Sequence, residues 1–221
     1  RGRRGGRIRM RVLPCGDRAL IAEFDTLDQV LAAHARWSVE LPVGIVELVP
    51  AARTVLVRID PSVWGLGALE QWLVAHPAAN CGDRESWQTA SQAAVTLPVN
   101  YDGDDLAVVA EAWGCSPDDV VARHVGTAWV CAFVGFAPGF PYLVPADGAT
   151  LPSVPRRATS RPRVPAGAVA LAAEYCGVYP RESPGGWQLI GRTDAAMWDA
   201  DRAAPALVTP GTLVRFEKVR P

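Results

Sequence analysis

Three loop segments in the second half of this 221-residue chain concentrate the residue types that could do chemistry. The first, FVGFAPGFPYL over residues 133–143, sets Phe136 and Phe140 around Pro138 and Gly139. Glycines let backbone approach a ligand closely, and prolines reduce the entropy lost on ordering. The segment therefore reads as a stiff aromatic binding surface or as a buried aromatic corner. The second, PRRATSRPRVP over residues 155–165, carries Arg156, Arg157, Arg161 and Arg163 on proline-extended backbone. Guanidinium forks grip carboxylate or phosphate through paired hydrogen bonds, so an anionic substrate or a nucleotide is the natural partner. The alternative is a solvated charged loop. The third, GVYPRESPGGWQLIGRT over residues 177–193, turns at Ser183-Pro184-Gly185-Gly186 and delivers Trp187 and Gln188 into a strand. Gly185 and Gly186 are placed to expose N–H groups as an anion nest, or simply to make the turn.

Several chemistries are absent from the pattern. Ser183 does not sit in a G-x-S-x-G elbow. Neither a Walker A sequence nor G-x-G-x-x-G occurs, so any ATP site must be of another kind. His124 is the one histidine of this half; it titrates near neutrality when unperturbed, but it shares a helix face with Val120 and Val121 and also reads as a packed residue. The five cysteines are odd in number, scattered and without a C-x-x-C pair. That argues against a disulfide framework or a structural zinc site and fits reduced thiols in a cytoplasmic protein.

The elements that must position these loops follow from periodicity. Strands are expected at Val12–Leu13 and Ala19–Phe24, then a helix from Asp25 or Thr26 to Trp37. Strands at Val46–Val49 and Thr54–Ile59 come next, and a helix opened by Pro61 runs toward His76. The order ββαββα predicts a small α/β sandwich over residues 10–85 with both helices on one sheet face. Residues 80–86 are polar and turn-rich and read as a linker. Beyond it come a strand at Val95–Asn100, a helix at Asp104–Trp113, and a second helix started by Ser116-Pro117-Asp118-Asp119. From Ala128 onward glycine and proline punctuate short apolar runs, which predicts a β-barrel or compact β-rich domain over residues 92–221. The expected class is α+β.

Composition limits the partners. Nearly half the residues are hydrophobic and a fifth are charged, as in globular domains, and no apolar run is long enough to span a membrane. A net charge of -1 gives no general attraction to nucleic acid or anionic lipid. The exception is residues 1–11, RGRRGGRIRMR, with six arginines. They read as a basic arm or as an extension upstream of a start at Met10. The second reading is preferred. It makes residues 1–9 a tail outside the fold and moves the net charge from -1 to -6, because five arginines precede Met10.

At the three loops the chain resembles the family of the 5-oxoprolinase B subunit, also labelled allophanate hydrolase subunit 1, which includes the sporulation kinase inhibitor of bacilli. GFAPGFPYL, PRR followed by R and then VPAG, and GVYP-x-x-SPGGWQLIG-x-T carry the likeness. LPVNYDGDDLAVVA and the Arg123-His124 pair extend it, and VELVPAARTVLVRI does so more loosely. The resemblance implies a cyclophilin-like β-barrel behind a small N-terminal α/β domain. It also implies a hetero-oligomer in which the chain joins a homologous C subunit, and an A subunit as well. That assembly would couple ATP hydrolysis (ATP as co-substrate, with Mg) to opening of 5-oxoproline. Carried over by position, the catalytic candidates are His124, Arg156, Arg161 and Gln188. Substrate- or nucleotide-binding candidates are Phe136, Pro138, Gly139, Phe140, Tyr179, Gly185, Gly186, Trp187 and Thr193; Pro165 and Gly167 complete the motifs, and no metal ligands are expected. Arg156 and Arg161 would stabilise a phosphoryl group or the substrate carboxylate. Ser160 departs from the family's proline, and Tyr175-Cys176 from its Gln-Thr, which leaves specificity open. Other readings are inhibition of a histidine kinase, membership of an allophanate- or urea-type amidohydrolase, and prolyl isomerisation, the last suggested by fold alone.

Overall fold

A computed structural model of the chain describes residues 9–39, 41–77 and 94–219; the proposed linker at 80–86 and nearly all of the arginine-rich tail lie outside them. The chain divides into two compact units, Arg1–Trp87 and Gln88–Pro221.

In the first unit, β1 (Arg11–Pro14) pairs antiparallel with β2 (Ala19–Glu23), and β3 (Ile45–Pro50) with β4 (Thr54–Ile59), in the sheet order β1-β2-β4-β3. Successive strand residues point to opposite faces. Leu20, Ala22, Val55, Val57 and Ile59 accordingly share one core with Val30, Ala33 and Trp37 of α1 (Leu27–Val39) and with Leu69 and Leu73 of α2 (Leu66–Ala75). The second helix begins at Leu66 rather than at Pro61. The Asp60 carboxylate accepts hydrogen bonds from Ser62 N–H and its hydroxyl, at 2.9 and 2.7 Å, and the Asp60 carbonyl accepts from Val63 and Trp64 N–H. This local turn competes with helix over Pro61–Trp64.

The second unit is built on a seven-stranded sheet. Its strands are β5 (Val95–Val99), β6 (Trp129–Val134), β7 (Pro141–Pro145), β9 (Ala168–Ala172), β10 (Tyr175–Val178), β12 (Gln188–Arg192) and β13 (Leu213–Lys218). They run in the order β12-β9-β10-β7-β6-β13-β5, with β13 and β5 parallel and the other described pairings antiparallel. The two edges meet where Asn100 and Arg192 each donate N–H to the other's carbonyl at 2.9 Å. The sheet is thereby nearly closed into a barrel, which leaves little free edge. A short ladder of β8 (Arg161–Val164) and β11 (Ser183–Gly185) lies beside it. Helices α3 (Leu106–Trp113) and α4 (Pro117–Gly126) pack on the core, and Ser116 and Asp119 form a reciprocal capping box at the start of α4. The whole is a mixed α/β chain, a small sandwich followed by a cyclophilin-like barrel.

Strand alternation gives the barrel wall two apolar faces. Val169 and Leu171 of β9 join the main core with residues of α3 and α4, whereas Ala168, Ala170 and Ala172 join a separate aromatic cluster. The site sits on that second cluster.

His124 belongs to the main-core side. It has no exposed surface; Nδ1 lies 2.7 Å from the Tyr101 hydroxyl and Nε2 3.2 Å from Cys176 Sγ. Its ring stands 4.3 Å from Phe216 and 5.1 Å from Trp129. Burial pushes its pKa down to about 3. The expected proton-transfer role has no footing in this placement, because both ring nitrogens are occupied and the ring is out of contact with solvent. A consequence for stability is measurable. An unfolded histidine binds a proton near pH 6.5; the folded one does not until about pH 3. The stabilisation is therefore complete above pH 6.5 and declines as pH falls toward 3. Between pH 6.5 and 5 the decline attributable to this residue is roughly 2 kcal/mol. Urea unfolding of the wild type and His124→Gln at both pH values should show that difference; equal declines would remove His124 as its source.

Candidate functional site

The three loops that the sequence singled out meet over the aromatic cluster. Phe140, 1% exposed, is the hub: its ring lies 5.4 Å from Phe136, 5.2 Å from Tyr142, 5.1 Å from Tyr179 and 5.4 Å from Trp187, with interplanar angles from 60° to 89°. Edge-to-face packing of this kind is favoured by the ring quadrupole and adds to the area buried. Room for it comes from small residues on the strands beneath. A Cβ on Gly177 of β10 would stand 2.8 Å from Phe140 and 3.0 Å from Trp187, so glycine there is a condition of the close approach.

Above the hub a small cleft of about 40 Å³, room for a few water-sized groups, is lined by Phe136, Phe140, Tyr142, Arg156, Tyr179, Pro184, Gly185, Gly186 and Trp187. Phe136 forms its rim, 61% exposed and held at φ 68. A bulky residue in the left-handed region is strained, and such strain gathers at ligand clamps. Burial raises the pKa of both Tyr142 and Tyr179 even against the nearby Arg156 charge, so both hydroxyls remain protonated donors. Among the described residues the lining contains no carboxylate and no histidine. What it offers is one guanidinium, tyrosine hydroxyls and aromatic walls. That set can hold the anionic end of a small apolar ligand, but it supplies no general base or nucleophile.

The arginine segment is positioned by a residue that the sequence reading passed over. Asp105, the N-cap residue of α3, is only 2% exposed, and its side chain makes no capping hydrogen bond. Its Oδ1 accepts from Arg157 at 2.8 Å and Arg161 at 2.9 Å; its Oδ2 lies 2.8 Å from Arg161 Nη1 and accepts from Leu189 N–H at 2.8 Å. Burial alone would raise the Asp105 pKa, but the hydrogen bonds from Arg161 and Leu189 and the charges of Arg161 and Arg157 outweigh it and hold the group below the ordinary carboxylate range. Asp104 adds a second carboxylate 3.7 Å from Arg161. The loop is further tied to the β11–β12 turn, since Arg157 N–H donates to the Gly186 carbonyl at 2.8 Å and Gln188 Nε2 to the Pro155 carbonyl at 2.9 Å.

Of the residues expected at a site, Arg156, Phe136, Phe140, Tyr179, Gly185, Gly186 and Trp187 share the cleft. Pro138 and Gly139 border a neighbouring shallow apolar surface with Trp198 and Ala206. Arg161 is not among the residues that line the cleft and is held in an ion pair with Asp105. Gln188 is buried behind the cleft with its Oε1 unpartnered, and acts on the Pro155 carbonyl. Thr193 is buried, its N–H bonded to the Gly167 carbonyl and its hydroxyl accepting from Ala195 N–H. Tyr142 and Asp105 were missed. The available signal for Asp105 was arithmetic: four arginines within eight residues demand countercharge, and adjacent aspartates stand just before α3.

A small α/β unit followed by a nearly closed barrel, with glycine- and tryptophan-bearing loops gathered over one aromatic cluster, defines a carboxyltransferase-type domain. The family model described as carboxyltransferase domain, subdomain C and D, matches residues 10–208, and the chain belongs to that family. It is 34% identical to the B subunit of 5-oxoprolinase from Escherichia coli O157:H7, covering 94% of this chain and 95% of that one. It is 30% identical to the B subunit of 5-oxoprolinase from Bacillus subtilis (strain 168), covering 96% and 94%. The solved structure of TTHA0988 is similar at a TM-score of 0.71 and 33% identity over 92% of this chain; the chain spans 40% of the length of that structure.

Proposed function

We propose that this chain is the B subunit of an ATP-dependent 5-oxoprolinase, active together with the homologous C and the A subunits and inactive alone. The observation that carries this reading is the cleft: aromatic walls beside a single arginine, Arg156, which is not paired with a carboxylate among the described residues. A five-membered lactam bearing a carboxylate offers the matching surfaces, an anion for Arg156 within the aromatic walls and an apolar ring for exposed Phe136. The cleft takes the anionic end, and exposed Phe136 faces the remainder. The names carried by relatives of 30% identity or more over nearly the whole chain support the same substrate.

The chain's own residues bind and orient. Arg156 fixes the carboxylate, the exposed Phe136 ring faces the lactam ring, and the protonated Tyr142 and Tyr179 hydroxyls donate. A stable amide needs its carbonyl activated and a nucleophile positioned, and neither is present in this lining. ATP, which the resemblance implies, does not fit these residues. A triphosphate requires several uncompensated cations, whereas Arg157 and Arg161 are already held in ion pairs. We assign the nucleotide to a partner in the complex.

The test is co-expression with candidate C and A subunits, followed by ATP-dependent release of glutamate from 5-oxoproline. Turnover that requires all three chains is expected. A stable assembly that leaves 5-oxoproline untouched would overturn the substrate assignment.

A further inference from the structure

We infer that Asp105 is a positioning residue that sets the charge of the cleft, leaving Arg156 as its single uncompensated cation and so selecting small monoanionic carboxylates over phosphate and other dianions. The inference rests on the cleft being the ligand site, as proposed above. It deepens that reading by naming what decides the ligand's charge.

The charges pair off residue by residue. Arg157 and Arg161 face Asp105 at 2.8–2.9 Å, and Arg161 also lies 3.7 Å from Asp104, so two guanidiniums meet two carboxylates. Arg163 lies 3.6 Å from Glu182. Arg156 alone of the four has no carboxylate partner among the described residues, and it alone of the four lines the cleft. The arrangement is built rather than incidental. Asp105 is buried, and its remaining lone pair is taken by the backbone N–H of Leu189, next to Gln188, which itself holds the Pro155 carbonyl at the root of the loop. One carboxylate thus fixes the loop to β12 and withdraws two of its four positive charges from any ligand. Guanidinium left without a carboxylate would turn to the nearest anion, and phosphate, with its four oxygens and higher charge, benefits most from a second fork.

The experiment uses the full chain and two probes, cyclopentanecarboxylate and inorganic phosphate, with dissociation constants read from amide and indole NMR shifts at pH 7.5. The wild type is expected to prefer the carboxylate. Asp105→Asn should raise the phosphate-to-carboxylate affinity ratio about tenfold, because Arg157 loses its countercharge and Arg161 keeps only Asp104. The double variant Asp105→Asn with Arg157→Gln should bring the ratio back to within about twofold of wild type. Damage to packing alone would weaken both probes together and would not be repaired by removing an arginine. Should Asp105→Asn fail to fold, Arg157→Gln alone tests the count from the other side, since its surplus of carboxylate should lower phosphate affinity more than carboxylate affinity. An unchanged ratio in the folded variants, or a ratio not restored in the double variant, overturns the inference. Turnover of 5-oxoproline by the assembled complex is scored separately. Turnover without the change in ratio removes Asp105 and keeps the substrate; the change in ratio without turnover keeps Asp105 and removes the substrate.

Discussion

In the assembled complex, Arg156→Ala is expected to lower kcat/KM for 5-oxoproline by roughly 30–100-fold, the effect of losing a charge-assisted hydrogen-bonded pair worth about 2–3 kcal/mol. The side chain is exposed and carries no internal ion pair among the described residues, so its removal should leave the fold intact. If Arg156 grips the carboxylate equally in the ground and transition states, most of the loss falls on KM rather than kcat. Arg156→Lys keeps the charge but not the planar fork and should recover only part of it. Arg163→Ala is the internal contrast: its guanidinium already has Glu182 3.6 Å away and does not line the cleft, so turnover should stay within about twofold. Steady-state kinetics on the purified complex reads all three. A kcat/KM for Arg156→Ala within about threefold of wild type would mean that the carboxylate is bound elsewhere.

The elements that place the cleft were legible because their signals are local. Ser116 followed by Pro117 and Asp119 is a capping sequence, and the helix starts there with the reciprocal hydrogen bonds formed. Alternation marked the strands of the small sandwich to within one or two residues. The second helix began late because Asp60 and Ser62 close a turn of their own, a competition that a count of apolar positions does not register. The barrel was legible as a class but not as a topology. Its closure depends on a parallel pairing between β5 and β13, more than a hundred residues apart in sequence, and on one pair of hydrogen bonds between Asn100 and Arg192. Nothing local encodes either.

The site was half legible for the same reason. Aromatic and glycine-rich loops announced themselves by composition, and the cleft contains residues from all three. Which arginine faces a ligand could not be read from PRRATSRPR, because the answer lies fifty residues earlier, at Asp105. The buried polar residues divide by what they touch. His124 meets Tyr101, Cys176, Trp129 and Phe216 in the main core, and Gln188 meets a loop carbonyl. Both carry motif positions, and both act on the protein's own structure.

Gly167 is the motif position where a single methyl group should matter most. It lies in the turn between β8 and β9 at φ 78; its N–H donates to the Tyr179 carbonyl at 2.7 Å, and its carbonyl accepts from Thr193 N–H at 2.9 Å. A Cβ added there would run into the Thr193 carbonyl oxygen, which is backbone and cannot rotate away. Gly167→Ala therefore combines about 1 kcal/mol for an alanine in the left-handed region with about 1–3 kcal/mol for overpacking. Gly114→Ala separates the two terms: φ is 63, but a Cβ meets nothing within 4 Å, so the conformational term of about 1 kcal/mol stands alone. Denaturant midpoints at unchanged m-value should place Gly167→Ala below Gly114→Ala by at least about 1 kcal/mol. The collision also has a direction. Relief of it must move the segment just after β10 that carries Tyr179 or the segment at Thr193, so Gly167→Ala should perturb the cleft, seen as NMR shifts at Tyr179 and Trp187, while Gly114→Ala leaves those signals in place. Equal destabilisation by the two variants would show that the turn relaxes freely, and that Gly167 is kept for its backbone angles rather than for the stitch between Tyr179 and Thr193.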